Sequence, residues 1–165
     1  YTVGAPGCAR DVITIGAAND LDRIAAFSSR GPTRDGRLKP DVVLPGVEIV
    51  AARARGTRMG TVVDDHYTAA SGTSMATPHA AGICALLLQA EPNLTPEGVK
   101  ERLVRTAISI GADAYAQGRG RVDAWRALRN ELSPELPLPE PPPGAPPVGA
   151  RGCLGSLVGW LPRRR

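Results

Sequence analysis

Residues 72–82 read Gly-Thr-Ser-Met-Ala-Thr-Pro-His-Ala-Ala-Gly, and this stretch decides most of the fold. Gly72 allows a tight backbone turn because it has no Cβ atom. Pro78 is tolerated only in the first turn of a helix, where its missing N–H costs no hydrogen bond. An apolar run follows. The stretch therefore predicts a sharp turn that leads directly into a long helix over residues 73–89, apolar nearly all round and buried at the centre of a domain.

Ser74 lies where this turn meets the helix. The first N–H groups of a helix have no intrahelical partner and carry a partial positive charge. An oxyanion that forms beside Ser74 would be stabilised there, with the backbone N–H of Ser74 as one donor. The position therefore favours a serine nucleophile. The alternative is a serine that caps the helix.

The composition restricts the function classes. The chain has 165 residues, 42% hydrophobic and only 4% aromatic, which suffices for one domain with an aliphatic core. The net charge of +4 includes three terminal arginines, and no basic stripe with interleaved aromatic residues indicates nucleic-acid binding. No apolar run reaches transmembrane length. Three cysteines, Cys8, Cys84 and Cys153, suggest neither a disulfide framework nor a zinc site.

Short apolar runs predict the strands. The β-branched run at residues 12–16 is typical of a buried parallel strand. Two more strands are expected at residues 41–44 and 47–50, and residues 53–65 are expected to form an exposed loop.

Further helices follow in the sequence. Thr95 and Pro96 signal a helix that extends to about Thr106. A last helix is expected after Asp123, with Trp125, Leu128 and Leu132 toward the core. Strands that alternate with helices predict an α/β domain with a parallel sheet.

Composition also divides the chain into three parts. Residues 1–132 form the predicted folded domain. Residues 133–149 are dominated by proline and predict an extended linker. Residues 150–165 form a short apolar segment that ends in arginines, and we expect a disordered tail there. The alternative is a peptide that docks on a partner or on a membrane surface.

Several segments, in their order along the chain, resemble the motifs of the subtilases, the subtilisin-like serine peptidases. Besides residues 72–82, they are residues 1–7 (Tyr-Thr-Val-Gly-Ala-Pro-Gly), 12–17 (Val-Ile-Thr-Ile-Gly-Ala), 27–32 (Phe-Ser-Ser-Arg-Gly-Pro), 39–46 (Lys-Pro-Asp-Val-Val-Leu-Pro-Gly) and 118–124 (Gly-Arg-Gly-Arg-Val-Asp-Ala). Leu44 stands where the family usually has Ala. The resemblance covers about residues 1–130. It implies a three-layer α/β fold, in which a parallel sheet has helices on both faces, here in incomplete form.

The resemblance also implies roles for particular residues. Ser74 would be the nucleophile of a serine endopeptidase that cleaves polypeptides through an acyl-enzyme. Thr73 would support the oxyanion site, and Met75 would be an oxidation-prone neighbour. Gly4 would line the substrate pocket, where a missing side chain leaves room for that of the substrate. The alternative for Gly4 is a glycine required only by its turn.

Three of the family's catalytic groups are missing. Its Asp and His lie in Asp-Thr/Ser-Gly and His-Gly-Thr motifs far upstream, its oxyanion Asn lies just before the segment that matches Tyr1, and none of these motifs occurs here. His79 is expected to be structural, packed or hydrogen-bonded inside, and His66, beside Asp64 and Asp65, an exposed loop residue. We therefore expect the C-terminal half of a catalytic domain that is inactive alone, with an N-terminal half-domain as partner. The alternatives are a non-catalytic module and a half-domain that complements another chain.

No cofactor is required by the resemblance. Related subtilases have a weak cation site, and here Asp41 with carbonyls near Gly7 and Ala9 would be the candidate calcium ligands. The alternative for Asp41 is a capping or salt-bridging aspartate. The family also implies an extracellular location.

Overall fold

The computed structural model describes residues 2–134, 136–137, 139–140 and 143. Along the chain, the elements are β1 (Ile15–Ala18), β2 (Val42–Pro45), β3 (Ile49–Ala52), β4 (Thr61–Val62), β5 (Tyr67–Ala70), α1 (Thr73–Ala90), α2 (Pro96–Thr106), α3 (Ala114–Gln117) and α4 (Ala124–Arg129). The predicted tail at 150–165, and most of the predicted linker at 133–149, lie outside the described residues. The three-part division of the chain therefore stays a prediction.

Strands β1 and β2 form a parallel pair in which Ile15 lies opposite Val42 and Ala18 lies opposite Pro45. All the residues of β1, and the first three of β2, are buried, as expected for a parallel sheet covered by other elements. The two strands lie slightly later than predicted from residues 12–16 and 41–44. The parallel pair, with helices packed beside it, confirms the α/β class. The three-layer arrangement remains a prediction.

A second sheet is antiparallel, with the order β3-β5-β4. Strand β4 lies within residues 53–65, which were predicted to be a loop, and β3 begins two residues after the predicted start at 47. No helix separates these three strands, so loops connect them without a crossover and they pair antiparallel. The sequence prediction of a parallel sheet is therefore correct for β1 and β2 but wrong for this region.

Helix α1 buries one face against the parallel strands. Its buried residues, Ala76, Ala80, Ile83 and Leu87, follow the helical repeat. On the remaining surface, Leu86 is 45% exposed and Leu88 is 42% exposed. The prediction of burial all round is therefore wrong for the described residues, because the elements described here cover only one side of the helix.

Helix α2 begins as the sequence predicts, with the Thr95 hydroxyl accepting a hydrogen bond from the N–H of Gly98 at 3.1 Å and Pro96 in the first turn. Helix α4 also begins after Asp123. Its inner residue is Ala127, whereas Trp125 is 64% exposed and Leu132 is 51% exposed. The predicted inner stripe is thus wrong for these two residues. Leu132 lies beyond the end of α4, which has only six residues, and Trp125 lies on the exposed side of the helix, where the Arg129 guanidinium is 5.4 Å from its ring centroid.

The cysteines differ in state. Cys8 is disulfide-bonded, although the three cysteines suggested no disulfide framework, whereas Cys84 has a free thiol. Cys84 lies half-buried on α1, and burial raises the pKa of its thiol.

Within the described part of the chain, every helix is too short or too polar to cross a membrane.

Candidate functional site

Hydrogen bonds between backbone groups fix the start of α1 to the end of the parallel strands. The N–H of Gly72 donates a hydrogen bond to the carbonyl of Gly46 at 2.7 Å, and the N–H of Gly46 donates one to the carbonyl of Ala18 at 2.9 Å. A Cβ atom on Gly46 would lie 2.7 Å from the Cβ of Ala17 and 2.8 Å from the carbonyl oxygen of Gly72. The close approach of the two chain segments therefore requires glycine at position 46.

Ser74 is the second residue of α1, and it is exposed. Its hydroxyl group makes no hydrogen bond with any described residue, and Gly72 is the N-cap, without a side-chain cap. The capping role considered for Ser74 is therefore not observed. The N–H of Ser74 also has no acceptor among the described residues, as expected for the first turn of a helix.

A cavity of about 680 Å³ opens beside Ser74. One wall is the start of α1 and the other is the antiparallel sheet. The lining includes a single ionisable side chain, that of Glu48, and is otherwise formed by small and apolar residues: Val50, Met59, Gly60, Thr61, Ala69, Ala70, Ser71, Gly72, Ser74 and Met75. A polypeptide chain that passes Ser74 would contact this sheet.

The neighbours of Ser74 are held by helix contacts. The carbonyl of Thr73 accepts a hydrogen bond from the hydroxyl of Thr77 at 2.9 Å. Met75 is half-buried and contributes to the cavity wall. The predicted supporting role of Thr73 in an oxyanion site stays a prediction.

The structure does not bring either histidine into a catalytic pair with Ser74. Nδ1 of His79 lies 2.9 Å from the carbonyl oxygen of Met75, one turn back on the same helix. His79 is thus hydrogen-bonded as expected, although its ring is exposed and not inside. His66 is exposed in the turn between β4 and β5, where the Asp64 carboxylate accepts a hydrogen bond from its backbone N–H at 2.7 Å. His66 does not line the cavity.

Gly4 lies apart from the cavity lining. It is exposed in the first loop, where its carbonyl accepts a hydrogen bond from the N–H of Cys8 at 2.9 Å. A Cβ atom on Gly4 would meet nothing within 4 Å, so the described residues impose no steric need for glycine. Its role in a substrate pocket stays a prediction.

Asp41 lies at the start of β2 with both carboxylate oxygens close to nitrogen atoms. Oδ2 accepts hydrogen bonds from the Lys39 ammonium and from the Thr14 N–H, both at 2.6 Å. Oδ1 lies 3.4 Å from the Lys100 ammonium. Within the described part of the chain, no cluster of three or more His, Cys, Asp or Glu residues could hold a metal ion.

Sequence reasoning missed the residues that form the far wall of the cavity, including Glu48, Met59 and Thr61. They lie in or beside the antiparallel sheet, and β4 has only two residues. The only signal that the sequence offered was the glycine at position 60. In the structure this residue has a positive φ of 72° and lies directly against Ala69. Such a glycine marks a tight approach of two strands.

Comparisons with known proteins agree on one family. The model of the subtilase family matches residues 1–131. The chain is 46% identical to serine protease AprX of Bacillus subtilis over 140 residues, which cover 77% of this chain and 32% of AprX. It is 38% identical to subtilisin of Bacillus pumilus over 128 residues, which cover 78% of this chain and 41% of subtilisin. It is also 38% identical to subtilisin-like protease SBT6.1 of Arabidopsis thaliana, with 74% of this chain and 12% of that protein covered.

The chain spans less than half the length of each of these relatives. The matched region includes both sheets, all four helices and the segment that carries Ser74. The chain belongs to the subtilase family of serine peptidases.

Proposed function

We propose that Ser74 is the nucleophile of a serine endopeptidase and that this chain provides the nucleophile half of the active site. The observation that carries the proposal is the exposed hydroxyl of Ser74, which makes no hydrogen bond with a described residue, in the first turn of α1 and beside the cavity. A hydroxyl used for capping or packing would have a protein partner. A nucleophile must instead be open to substrate.

The proposed reaction is acyl transfer. Oγ of Ser74 attacks the carbonyl carbon of a peptide bond while a base takes its proton, and the same proton then passes to the leaving amine as the C–N bond breaks. The N–H of Ser74, unpaired among the described residues, donates one hydrogen bond to the oxyanion. Water hydrolyses the ester and restores the hydroxyl of Ser74.

We propose that this chain lacks the base that takes the proton from Ser74. His79 is tied to the carbonyl of Met75, and His66 lies in the hairpin turn. In the family, an Asp, a His and an oxyanion Asn come from segments that precede the region matched here. We therefore propose that an N-terminal half-domain supplies these groups and that the chain alone is inactive as a peptidase.

The uncovered surface of α1 supports such a partner. Leu86 and Leu88 leave apolar area open to solvent, and a parallel sheet of two strands is marginal by itself. We propose that the N-terminal half-domain adds strands to β1 and β2 and covers the exposed surface of α1 on either side of its buried face, which completes the three-layer fold. Alone, the chain is expected to be marginally stable and, at high concentration, prone to aggregation through these surfaces.

An extracellular location is also part of the proposal. The subtilase resemblance implies it, and the disulfide at Cys8 supports it because disulfides persist in oxidising compartments. Expression of the tagged protein from its natural gene would test this. Tagged protein in the medium is expected, and its complete retention in the cytosol would contradict the proposal.

A fluorophosphonate probe tests the catalytic proposal. The activated serine displaces fluoride from phosphorus and becomes covalently labelled. We expect labelling of Ser74 when the chain is refolded with the preceding half of AprX, and none with S74A. No labelling at Ser74 in a folded, reconstituted complex would overturn the nucleophile assignment and favour a non-catalytic module. Rapid labelling of the chain alone would overturn the need for a second half.

A further inference from the structure

The only two lysines of the chain converge on one site. The chain has 20 basic residues, and all except Lys39 and Lys100 are arginines. The ammonium group of Lys39 donates to the carbonyl of Val12 at 2.8 Å, and that of Lys100 donates to the same oxygen at 2.9 Å. Both ammonium groups also face the Asp41 carboxylate, at 2.6 Å and 3.4 Å. Lys39 and Lys100, which are far apart in sequence, thus contact the same carbonyl and the same carboxylate.

The contacts connect three separate parts of the fold. Asp41 and Lys39 lie just before β2, Lys100 lies on α2, and Val12 belongs to the loop before β1. Lys100 also donates to the carbonyl of Arg10 at 3.0 Å. The Lys39 side chain is only 3% exposed. Burial lowers its pKa, and the hydrogen bond to Asp41 opposes that shift.

Lysine suits this site for a physical reason. Its ammonium is a compact point charge with three donors, whereas the guanidinium of arginine is a wide planar fork. A chain that otherwise uses arginine at every basic position has lysine only here. The compact ammonium group therefore fits this site, in which several oxygen atoms converge, better than a guanidinium would.

The residues present do not fit the calcium site that the family resemblance implies. Calcium takes roughly six to eight oxygen ligands at about 2.3–2.6 Å. Here the Asp41 carboxylate and the carbonyls of Arg10 and Val12 accept hydrogen bonds or ion pairs from ammonium groups. The carbonyl of Gly7, another expected ligand, accepts a hydrogen bond from the Thr14 hydroxyl at 2.6 Å. A calcium ion could bind only by displacing both lysines.

The lysines also reproduce the charge of the ion. Two ammonium groups beside one carboxylate leave one net positive charge, which equals that of a divalent cation with the same carboxylate. We propose that Lys39 and Lys100 act as a built-in cation at Asp41 and hold the loop before β1, strand β2 and helix α2 together without a metal ion. The stability of this region is then independent of calcium and unaffected by chelators.

Thermal unfolding of the wild-type chain tests the proposal directly. We expect the same Tm in millimolar calcium and in excess EDTA, and no calcium binding at this site by titration calorimetry. A Tm that rises by several degrees with calcium and falls with EDTA would overturn the proposal.

Two variants test the role of the lysines themselves. K39M keeps most of the side-chain length but removes the charge, which leaves the Asp41 carboxylate poorly compensated. Breaking a buried ion pair is strongly destabilising, and we expect Tm to fall by about 10 °C. The matched control is R105Q, which removes an exposed cation paired with Glu101, and is expected to leave Tm nearly unchanged. An unchanged Tm for K39M would contradict the proposal.

The double variant K39M/K100M has the same oxygen atoms and no ammonium group. We expect it to gain a calcium-dependent rise in Tm that the wild type lacks.

NMR of the wild-type chain provides a measurement that needs no variant, because ¹⁵N-lysine labelling gives only two side-chain signals. We expect the Lys39 ammonium protons to exchange slowly enough to be seen near neutral pH. Two fast-exchanging, water-like lysine signals in the folded chain would also overturn the proposal.

Discussion

The two sheets on either side of Ser74 differ in how they are packed. The parallel pair β1–β2 is buried and is covered by α1, with Ala17, Val42 and Leu87 shielded from solvent. The antiparallel sheet exposes Val50, Val62 and Tyr67. Ser74 lies where the two regions meet, since the start of α1 is bonded to the end of β2 and also lines the cavity. The buried region therefore fixes the position of Ser74, the proposed nucleophile, whereas the exposed sheet offers an open surface for the proposed polypeptide substrate.

The largest expected effect comes from removing the proposed nucleophile itself. In the reconstituted enzyme, S74A is expected to lose about 10⁶-fold in kcat, the order found when the catalytic serine of subtilisin, a member of the same family, is removed. Peptide hydrolysis measures the loss, and S29A, which changes a serine outside the cavity lining, is the control. An S74A enzyme with a substantial fraction of wild-type activity would refute the assignment of Ser74.

The second prediction contrasts the two faces of α1. Leu87 is fully buried against the parallel strands, whereas Leu86 is exposed. L87A is expected to lower the free energy of unfolding by about 2–5 kcal/mol because it leaves a cavity in the core. L86A is expected to cost well under about 1 kcal/mol in the chain alone but to weaken association with the N-terminal half. Equal losses of stability in urea unfolding would contradict the described packing of α1.

The third prediction concerns the joint between the two regions. G46A introduces a Cβ atom against Ala17 and the carbonyl of Gly72, so the start of α1 must shift. We expect a loss of about 1–3 kcal/mol, as for other overpacked sites, and slower fluorophosphonate labelling of the reconstituted enzyme. G82A is the control, since a Cβ atom there meets nothing within 4 Å and alanine favours the helix. Wild-type stability and labelling in G46A would show that this contact does not position Ser74.

The fourth prediction is a pH effect in the buried part of the molecule. Asp35 is buried, and its hydrogen bond from the Arg37 guanidinium at 2.8 Å holds the pKa of the carboxyl below its ordinary value of 3.8. Because the folded-state pKa is the lower one, this stabilisation is complete above pH 3.8 and is lost as the pH falls through the folded-state pKa. The stability of D35N is therefore expected to depend less steeply on pH in acid. Glu91, with its pKa lowered by Arg102, contributes in the same direction, so E91Q is measured alongside. Identical acid profiles for D35N and the wild type would exclude the Asp35 contribution.

The smallest effect is expected on the exposed sheet. V62T changes a side chain that is about half exposed on the two-residue strand β4, and threonine suits a strand as well as valine does. The free energy of unfolding is expected to change by less than about 0.5 kcal/mol. A loss comparable to that of L87A would mean that this sheet carries far more of the stability than its exposure indicates.

The sequence predicted the buried region better than the exposed one. The helix after Ser74, the cap at Thr95 and the start of α4 depend on local signals, namely glycine, proline and capping side chains, and most of these were read correctly. The exception is Pro78, which was expected in the first turn of α1 but lies inside the helix, beyond that turn, because tertiary packing of α1 outweighs the local cost of an internal proline. The β4–β5 pairing was missed because a two-residue strand has no detectable alternation, and its partner is fixed only by tertiary contacts. The exposure of Leu86 and Trp125 was also missed, since an apolar side chain does not reveal which elements lie against it. The lysine pair at Asp41 could not be read from spacing, because its members come from three distant segments.

The central claim is that this chain holds the nucleophile and lacks its base. The most direct test is the rate of fluorophosphonate labelling at Ser74 as the N-terminal half is added in increasing amounts. We predict negligible labelling of the chain alone and a rate that rises at least about 10³-fold before it saturates as the complex fills. Labelling of the chain alone at the rate of the complex, abolished by S74A, would contradict the claim.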